Sequence, residues 1–215
     1  DKEIKFFKDL TQDEKTILKS GTFEKSFEKG EIIHNSYEPC TGVIVVRKGK
    51  LRVYMLSELG KEITLYYLEE GEMCILSASC VLATISFEVH VEAETKVEIL
   101  QISASVFNQI IKSNIKVENY ALRLATVRFS DVMWAMQQIL FFSMDKRLAM
   151  YLYEASVKAN SDVICATHEE IAKSLGSARE VITRLLNQFA NEGLVELTRG
   201  KVTVTNRSRL TSIFS

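Results

Sequence analysis

The fold is decided by the stretch THEEIAKSLGSAREVITRLLNQFANEGLV, residues 167–195. Thr167 and Glu170 stand in the S/T-x-x-E order of a capping box, in which two side chains satisfy backbone N–H groups at a helix start. Ser177 and Glu180 repeat that order ten residues later, and a Leu-Gly pair lies between the two. The spacing predicts two helices joined by a tight turn.

The second predicted helix has an apolar side and a polar side. Apolar residues recur at spacings of one, three and four, which predicts a buried side: Val181, Ile182, Leu185, Leu186 and Phe189. The other side carries hydrogen-bonding groups: Arg179, Glu180, Thr183, Arg184 and Asn187. In the major groove guanine offers two acceptors to arginine, and cytosine offers a donor to glutamate. Taken alone, this composition favours a solvated face on an ordinary helical hairpin. Two further features, a basic hairpin and the distribution of charge, favour a DNA-reading helix-turn-helix instead.

A short hairpin with a basic tip is predicted directly after these helices. Residues 194–205 read LVELTRGKVTVT, two alternating apolar segments around Arg199, Gly200 and Lys201. The tip could bind phosphate, which supplies affinity without sequence information. Residues 143–215 carry ten Lys or Arg against eight Asp or Glu, whereas residues 1–142 carry seventeen against twenty. The sign of the charge therefore favours the C-terminal part as the DNA-binding part.

Composition indicates a globular chain with one or two domains. It has 215 residues, 47% apolar content and a net charge of -1. No segment has the length of a membrane span and no apolar signal segment is visible, so we expect a cytoplasmic protein without a membrane partner. Four cysteines are too few for a disulfide scaffold. No phosphate loop or pair of acids is apparent, so no enzyme is predicted and no catalytic residue is assigned.

The N-terminal part predicts short antiparallel strands. Glycines recur every seven to twelve residues from Gly21 to Gly71, and segments such as GVIVV, KLRVYM and KVEILQI are rich in β-branched residues. An antiparallel sandwich or small barrel follows. We predict three domains: residues 1–113 form this sheet domain, 114–142 a long helix and hinge, and 143–215 the DNA-binding domain. The helix is expected to pair with a second copy through Val117, Ala121, Leu124, Val127 and Met136. The alternative is that this stripe packs onto the sheet domain of the same chain.

This order resembles the bacterial CRP/FNR family of transcription regulators over nearly the whole chain. SAREVITR, residues 177–184, is similar to the family's S-R-E-x-x-(S/G)-R recognition pattern, with Ala178 in place of a frequent serine. The resemblance implies an α+β fold: a β-roll of the jelly-roll or double-stranded β-helix type, a long central dimerisation helix and a winged helix-turn-helix. It also implies a homodimer on a palindromic site, an effector that switches it, and RNA polymerase as a partner.

The resemblance also implies the roles of single residues. Arg179, Glu180 and Arg184 match base-contacting residues, and Thr167 and the hairpin tip match phosphate-contacting ones. The full set assigned to double-stranded DNA is Thr167, Ser177, Ala178, Arg179, Glu180, Thr183, Arg184, Arg199 and Lys201. Two alternatives stay open: a small-molecule-binding module that has lost DNA recognition, and a thiol enzyme.

The sensor site departs from the cyclic-nucleotide members. They carry a Glu for the ribose and an Arg for the phosphate, and here Leu76 and Phe87 stand at about those positions. Cyclic AMP is therefore disfavoured, because a buried phosphodiester would lose its charge-assisted hydrogen bond. The effector-pocket candidates are Gly71, Glu72, Cys74, Leu76, Ser77, Cys80, Phe87, Val132 and Met133.

Three residues near the predicted sensor could bind a cofactor. Cys74, Cys80 and His90 are the candidates for a metal, a haem or a redox-active thiol pair. The simpler interpretation is two small buried cysteines and a surface histidine on a strand. The effector and any cofactor stay unassigned.

Overall fold

The computed structural model describes residues 4–35, 41–58, 60–75 and 89–214. The chain divides into two compact units: Asp1–Glu58 with Leu65–Met133, and Leu59–Thr64 with Trp134–Ser215. Antiparallel sheets, a long helix and a helix-turn-helix follow one another along the chain, so the predicted α+β fold is confirmed. Among the described residues no helix has both the length and the apolar character needed to cross a membrane.

The N-terminal half is built on eight described strands in two sheets. They are β1 (Thr22–Phe27), β2 (Ile32–His34), β3 (Val43–Lys48), β4 (Leu51–Leu56), β5 (Glu62–Leu68), β6 (Met73–Cys74), β7 (His90–Ala93) and β8 (Val97–Ile102). One sheet has the order β1-β8-β3-β6 and the other β2-β7-β4-β5. Both faces of β3 are covered, because its first four residues, VIVV, are all buried.

The turn between β3 and β4 requires glycine. Gly49 has a φ of +90°, a conformation that side chains with a Cβ rarely adopt. A Cβ at this position would also collide with the carbonyl oxygen of Lys96. The turn thus carries the chain from β3 in the first sheet to β4 in the second.

Helices cover one face of the first sheet. A 3-10 helix (Phe7–Asp9), α1 (Gln12–Ser20) and α2 (Ala104–Ser113) precede the long helix α3 (Ile115–Phe141). Thr11 forms a capping box with Glu14 at the start of α1, as a helix over TQDEKTILKS requires. Apolar side chains of these helices, of the segments beside them and of the first sheet form one cluster: Ile4, Phe6, Leu10, Leu18, Val43, Val45, Met73, Ile75, Leu100, Ile102, Phe107, Ile110, Val117 and Ala121.

The face of α3 that we predicted for dimerisation is corrected by this packing. Val117 and Ala121 are 0% and 2% exposed within the cluster of the same chain, and Leu124 packs against it. Val127 and Met136 are exposed, but nine positions separate them, which places them on about opposite sides of an α-helix. The prediction is contradicted for Val117, Ala121 and Leu124, because α3 has two apolar faces and the sheet domain of the same chain covers this one. Dimerisation through Val127 and Met136 stays a prediction.

The second unit forms its own core around three helices. After α4 (Met144–Lys158) come β9 (Val163–Ile164), α5 (His168–Leu175), α6 (Arg179–Asn191), β10 (Val195–Thr198), β11 (Lys201–Val204) and α7 (Arg207–Thr211). The three strands form a sheet in the order β10-β11-β9. The core joins α4, α5 and α6 through Leu148, Leu152, Ile171, Ile182, Leu186 and Phe189, all 2% exposed or less.

Candidate nucleic-acid interface and sensor site

Helix α5 begins with the predicted capping box. The Thr167 hydroxyl accepts a hydrogen bond from the Glu170 N–H at 3.2 Å, and the Glu170 carboxylate accepts one from the Thr167 N–H at 2.8 Å. The Thr167 hydroxyl also donates to that carboxylate at 3.0 Å. A hydroxyl has only one proton. If Thr167 donates to a phosphate, as the family resemblance implies, its hydroxyl must give up the hydrogen bond to Glu170.

A glycine closes α5 and makes the turn tight. Gly176 is left-handed, with a φ of +61° and a ψ of 42°. Its N–H donates to the Lys173 carbonyl at 3.3 Å, and the Ser177 N–H donates to the Ala172 carbonyl at 2.9 Å. This pair of bonds is a Schellman motif. Ser177 therefore belongs to the end of α5, where its backbone N–H is already used.

The second predicted capping box does not form. Helix α6 begins at Arg179 with Ala178 as its N-cap, and Ala178 has no side chain that can cap it. The Ser177–Glu180 prediction was wrong because Ser177 closes α5 and α6 starts one residue later than the box requires. The N-cap residue itself therefore contributes no side-chain hydrogen bond to the first turn of α6. Uncapped N–H groups at a helix start attract phosphate oxygens.

The polar side of α6 is exposed at its beginning. Ala178, Arg179, Glu180 and Arg184 are exposed, and Ser177 and Thr183 are half-buried. Ile182, Leu186 and Phe189 are buried on the opposite side. The structure therefore brings together, on and beside one helix start, the groups that sequence analysis assigned to base contacts.

The predicted basic hairpin is formed by β10 and β11. Thr198 pairs with Lys201 in antiparallel register, and Arg199 and Gly200 form the two-residue turn between them. Gly200 has a φ of +71°, which glycine adopts readily. Arg199 and Lys201 are both exposed. The hairpin thus presents two exposed cations at its tip.

Sequence analysis missed a buried arginine at the sensor site. Arg128 of α3 is 6% exposed, and its guanidinium donates to Glu72 at 3.1 Å and to Asp131 at 2.9 Å. Its central carbon lies 4.8 Å from the centre of the Tyr66 ring. Burial works against the charge, but the hydrogen bonds to Asp131 and Glu72 hold the pKa of Arg128 above its ordinary value. The only signal in the sequence was a charged residue within an apolar stripe, followed by Asp three residues later.

Tyr66 and Cys74 lie on the other side of this arginine. Burial raises the pKa of Tyr66 well above its usual value, and the neighbouring Cys74 adds to the shift. Cys74 is a fully buried cysteine in β6. The sensor site therefore contains a cation that two carboxylates neutralise, beside an uncharged phenol and a thiol.

The other predicted sensor residues fall into three groups. Gly71 has a φ of +79° in the turn before β6, and Met133 is 46% exposed on α3 with Val132 half-buried beside it. Leu76, Ser77, Cys80 and Phe87 lie outside the described residues. His90, expected at the surface, is only 6% exposed and stacks on Tyr54 at 5.2 Å between ring centres. Among the described residues no cluster of His, Cys, Asp and Glu could hold a metal ion.

Comparisons with known proteins agree with this architecture. Residues 146–213 match the Crp-like helix-turn-helix domain, and residues 24–114 match the cyclic nucleotide-binding domain. A crystal structure described as a CRP/FNR-family regulator from Eubacterium rectale ATCC 33656 is 42% identical, covers 100% of this chain and 99% of its own, and has a TM-score of 0.92. These matches and the geometry of α5 and α6 define a DNA-binding transcription regulator.

Two curated proteins are similar over most of their length. A protein named transcriptional regulator flp in Lacticaseibacillus casei is 26% identical over 212 residues, 94% of this chain and 92% of its own. The global nitrogen regulator of Synechocystis sp. PCC 6803 is 25% identical over 199 residues, 89% of this chain and 88% of its own. The chain belongs to the CRP/FNR family, which consists of transcription regulators and not of enzymes.

Proposed function

We propose that this protein works as a homodimer on a palindromic promoter site and that a signal at its β-roll switches DNA binding. The observation that carries the proposal is the exposed row of Arg179, Glu180 and Arg184 at an uncapped helix start. Arginine and glutamate match base edges of the major groove, and open N–H groups match phosphate. Two such helices would address half-sites about one helical turn, roughly 34 Å, apart.

The dimer would form through a face of α3 that the roll leaves uncovered. Ile115, Leu122, Phe129 and Met136 recur every seven residues and are 46–66% exposed. Met133 stands between Phe129 and Met136 at spacings of four and three, and Leu140 follows Met136 at a spacing of four. Alternating spacings of four and three are the pattern of a two-stranded coiled coil. We name these six residues the heptad seam. A second copy of this chain is the partner that such a repeat fits.

The effector would bind beside Tyr66, Cys74 and Arg128. Arg128 already contacts two carboxylates, so the site offers less free positive charge than an anionic cyclic nucleotide requires. A small molecule other than cyclic AMP, or a redox signal at Cys74, fits this chemistry better. We also propose a cytoplasmic location, RNA polymerase as a partner, and the sequence-based limits 1–113, 114–142 and 143–215 for the three domains.

The proposed base contacts are tested with Arg184→Ala. The preferred site is first selected from duplexes with two random half-sites, and binding is then measured by fluorescence anisotropy. A base-contacting arginine should cost about 1–3 kcal/mol and relax the preference at one position of each half-site. The reason is that a bidentate contact to one guanine is lost.

Arg123→Ala is the matched control, because Arg123 is also exposed but lies on α3. It removes the same charge, and we expect the selected site to stay the same. Unchanged affinity and unchanged base preference in Arg184→Ala would count against the proposed reading of DNA by α6.

A further inference from the structure

A hydrogen bond between two side chains joins the two helices of the helix-turn-helix. His168, the first residue of α5, lies with its Nδ1 atom 3.0 Å from the hydroxyl oxygen of Thr183 in α6. Both side chains are half-buried. The fixed packing of α5 against α6, through Ile171 and Ile182, holds this distance.

Thr183 lies where a contact to DNA and a contact to His168 can occur together. It follows the buried Ile182 and precedes the exposed Arg184, so it stands at the border of the polar side of α6. It is also one helical turn beyond Arg179. Its hydroxyl oxygen can therefore approach a base edge while it keeps the hydrogen bond to His168.

The bond to His168 limits what the hydroxyl can offer to a base. A threonine hydroxyl has one proton to donate and two lone pairs that accept. If Nδ1 accepts that proton, only the lone pairs remain, and the base must present an amino group. If Nδ1–H donates, the hydroxyl proton is free for a carbonyl or ring nitrogen of a base. In that second case one lone pair also remains, so the tautomer of His168 decides whether Thr183 can only accept from a base or can also donate to it.

We propose that His168 is a positioning residue that determines specificity: it sets whether Thr183 can donate to, or can only accept from, one base pair of each half-site. The inference rests on the proposed reading of DNA by α6. His168 touches no base in this account and acts only through Thr183. It therefore affects the choice of base more than the total affinity.

The test selects preferred half-sites from a random duplex library with the full-length wild type, His168→Ala, Thr183→Val, Thr183→Ser and the double variant His168→Ala/Thr183→Val. His168→Ala and Thr183→Val should both lose preference at the same base pair, by about two- to tenfold. The double variant should lose no more than either single one, because one hydrogen-bonded unit is removed. Thr183→Ser keeps the hydroxyl and should keep the preference.

Each outcome decides one of the two proposals. If the wild type enriches no sequence, the proposed reading of DNA itself fails. If it enriches a half-site and His168→Ala keeps the full preference at every position, only the role of His168 is overturned. If His168→Ala does not fold, Thr183→Val decides: an unchanged preference in that variant also overturns the inference.

Discussion

Ala178 is an unusual residue for the N-cap position of α6. Helix N-caps favour Ser, Thr, Asp and Asn, whose side chains bind the first N–H groups. Ala178 cannot do so, and Ser177 before it is used to close α5. Functional sites are where such rules are broken, because the groups left open are those a ligand needs. We interpret the missing cap as room for a phosphate.

Ala178→Asp should therefore raise stability and weaken DNA binding. The new carboxylate caps α6 and should add about 0.5–2 kcal/mol to the free energy of unfolding. The same charge repels a phosphate, which should weaken binding at low salt at least about fivefold. Thermal denaturation and anisotropy titrations against the selected duplex measure the two effects.

Ala178→Ser separates the cap from the charge. It should stabilise α6 to a similar degree and leave DNA affinity within about twofold, because serine adds a donor and no charge. Equal DNA binding by the Asp and Ser variants would show that no phosphate approaches this helix start.

In the proposed dimer, the two sides of helix α3 serve different partners. Val117 and Ala121 pack into the core of the β-roll, and Arg128 reaches Glu72 on that side. The heptad seam lies on another side and is exposed. We propose that a change at the Glu72 turn reaches the heptad seam through α3, as a switched dimer would require.

Phe129→Glu should dissociate the proposed dimer. Phe129 is 66% exposed in the single chain, so the substitution should hardly change the stability of the monomer. In the dimer it would remove two aromatic contacts worth about 1.5–3 kcal/mol each and add two repelling charges. We expect the dissociation constant to rise at least about 100-fold, measured by analytical ultracentrifugation.

Val127→Glu is the matched control on the same helix. Val127 is 52% exposed but lies two positions from Phe129, about 160° around the helix. It should leave the dimer intact. Dissociation by Val127→Glu together with an intact Phe129→Glu dimer would support the stripe first predicted from the sequence and reject the heptad seam.

The whole molecule should respond to its signal only through a ligand that prefers one of two states. A ligand with equal affinity for both states shifts no population. Arg128 ties α3 to the turn before β6, and its partners are carboxylates of the same chain. A ligand that replaces one of these carboxylates, or a change at Cys74 beside Tyr66, would alter the contacts by which Arg128 links α3 to this turn.

Cyclic AMP at millimolar concentration should not raise the melting temperature of the protein. The residues at the positions matched to the ribose-binding Glu and the phosphate-binding Arg are Leu76 and Phe87. A ligand present at 100 times its Kd would stabilise the fold by about 2.7 kcal/mol, which differential scanning fluorimetry detects. The selected duplex serves as the positive control and 5′-AMP as the control for nonspecific effects. A saturable rise with cyclic AMP alone would refute the prediction.

Local order was readable in the residues themselves. The Thr167–Glu170 box, the glycine after Leu175, the alternation on either side of Arg199 and the strand segments between glycines each involve neighbours within about ten positions. Such signals depend on the intrinsic geometry of short segments. Sequence analysis therefore placed α5, the hairpin and the polar side of α6 correctly, and it erred by one residue at the start of α6.

Long-range packing settled the rest. Periodicity showed that α3 is apolar, but the β-roll selected Val117 and Ala121 for its core and left the heptad seam outside. Glu72 and Arg128 are 56 positions apart, and only folding brings them within 3.1 Å. Ser177 satisfied the pattern of a cap, yet its N–H was bound to Ala172. A periodic pattern specifies which faces are apolar, whereas the choice of partner depends on three-dimensional competition among all faces at once.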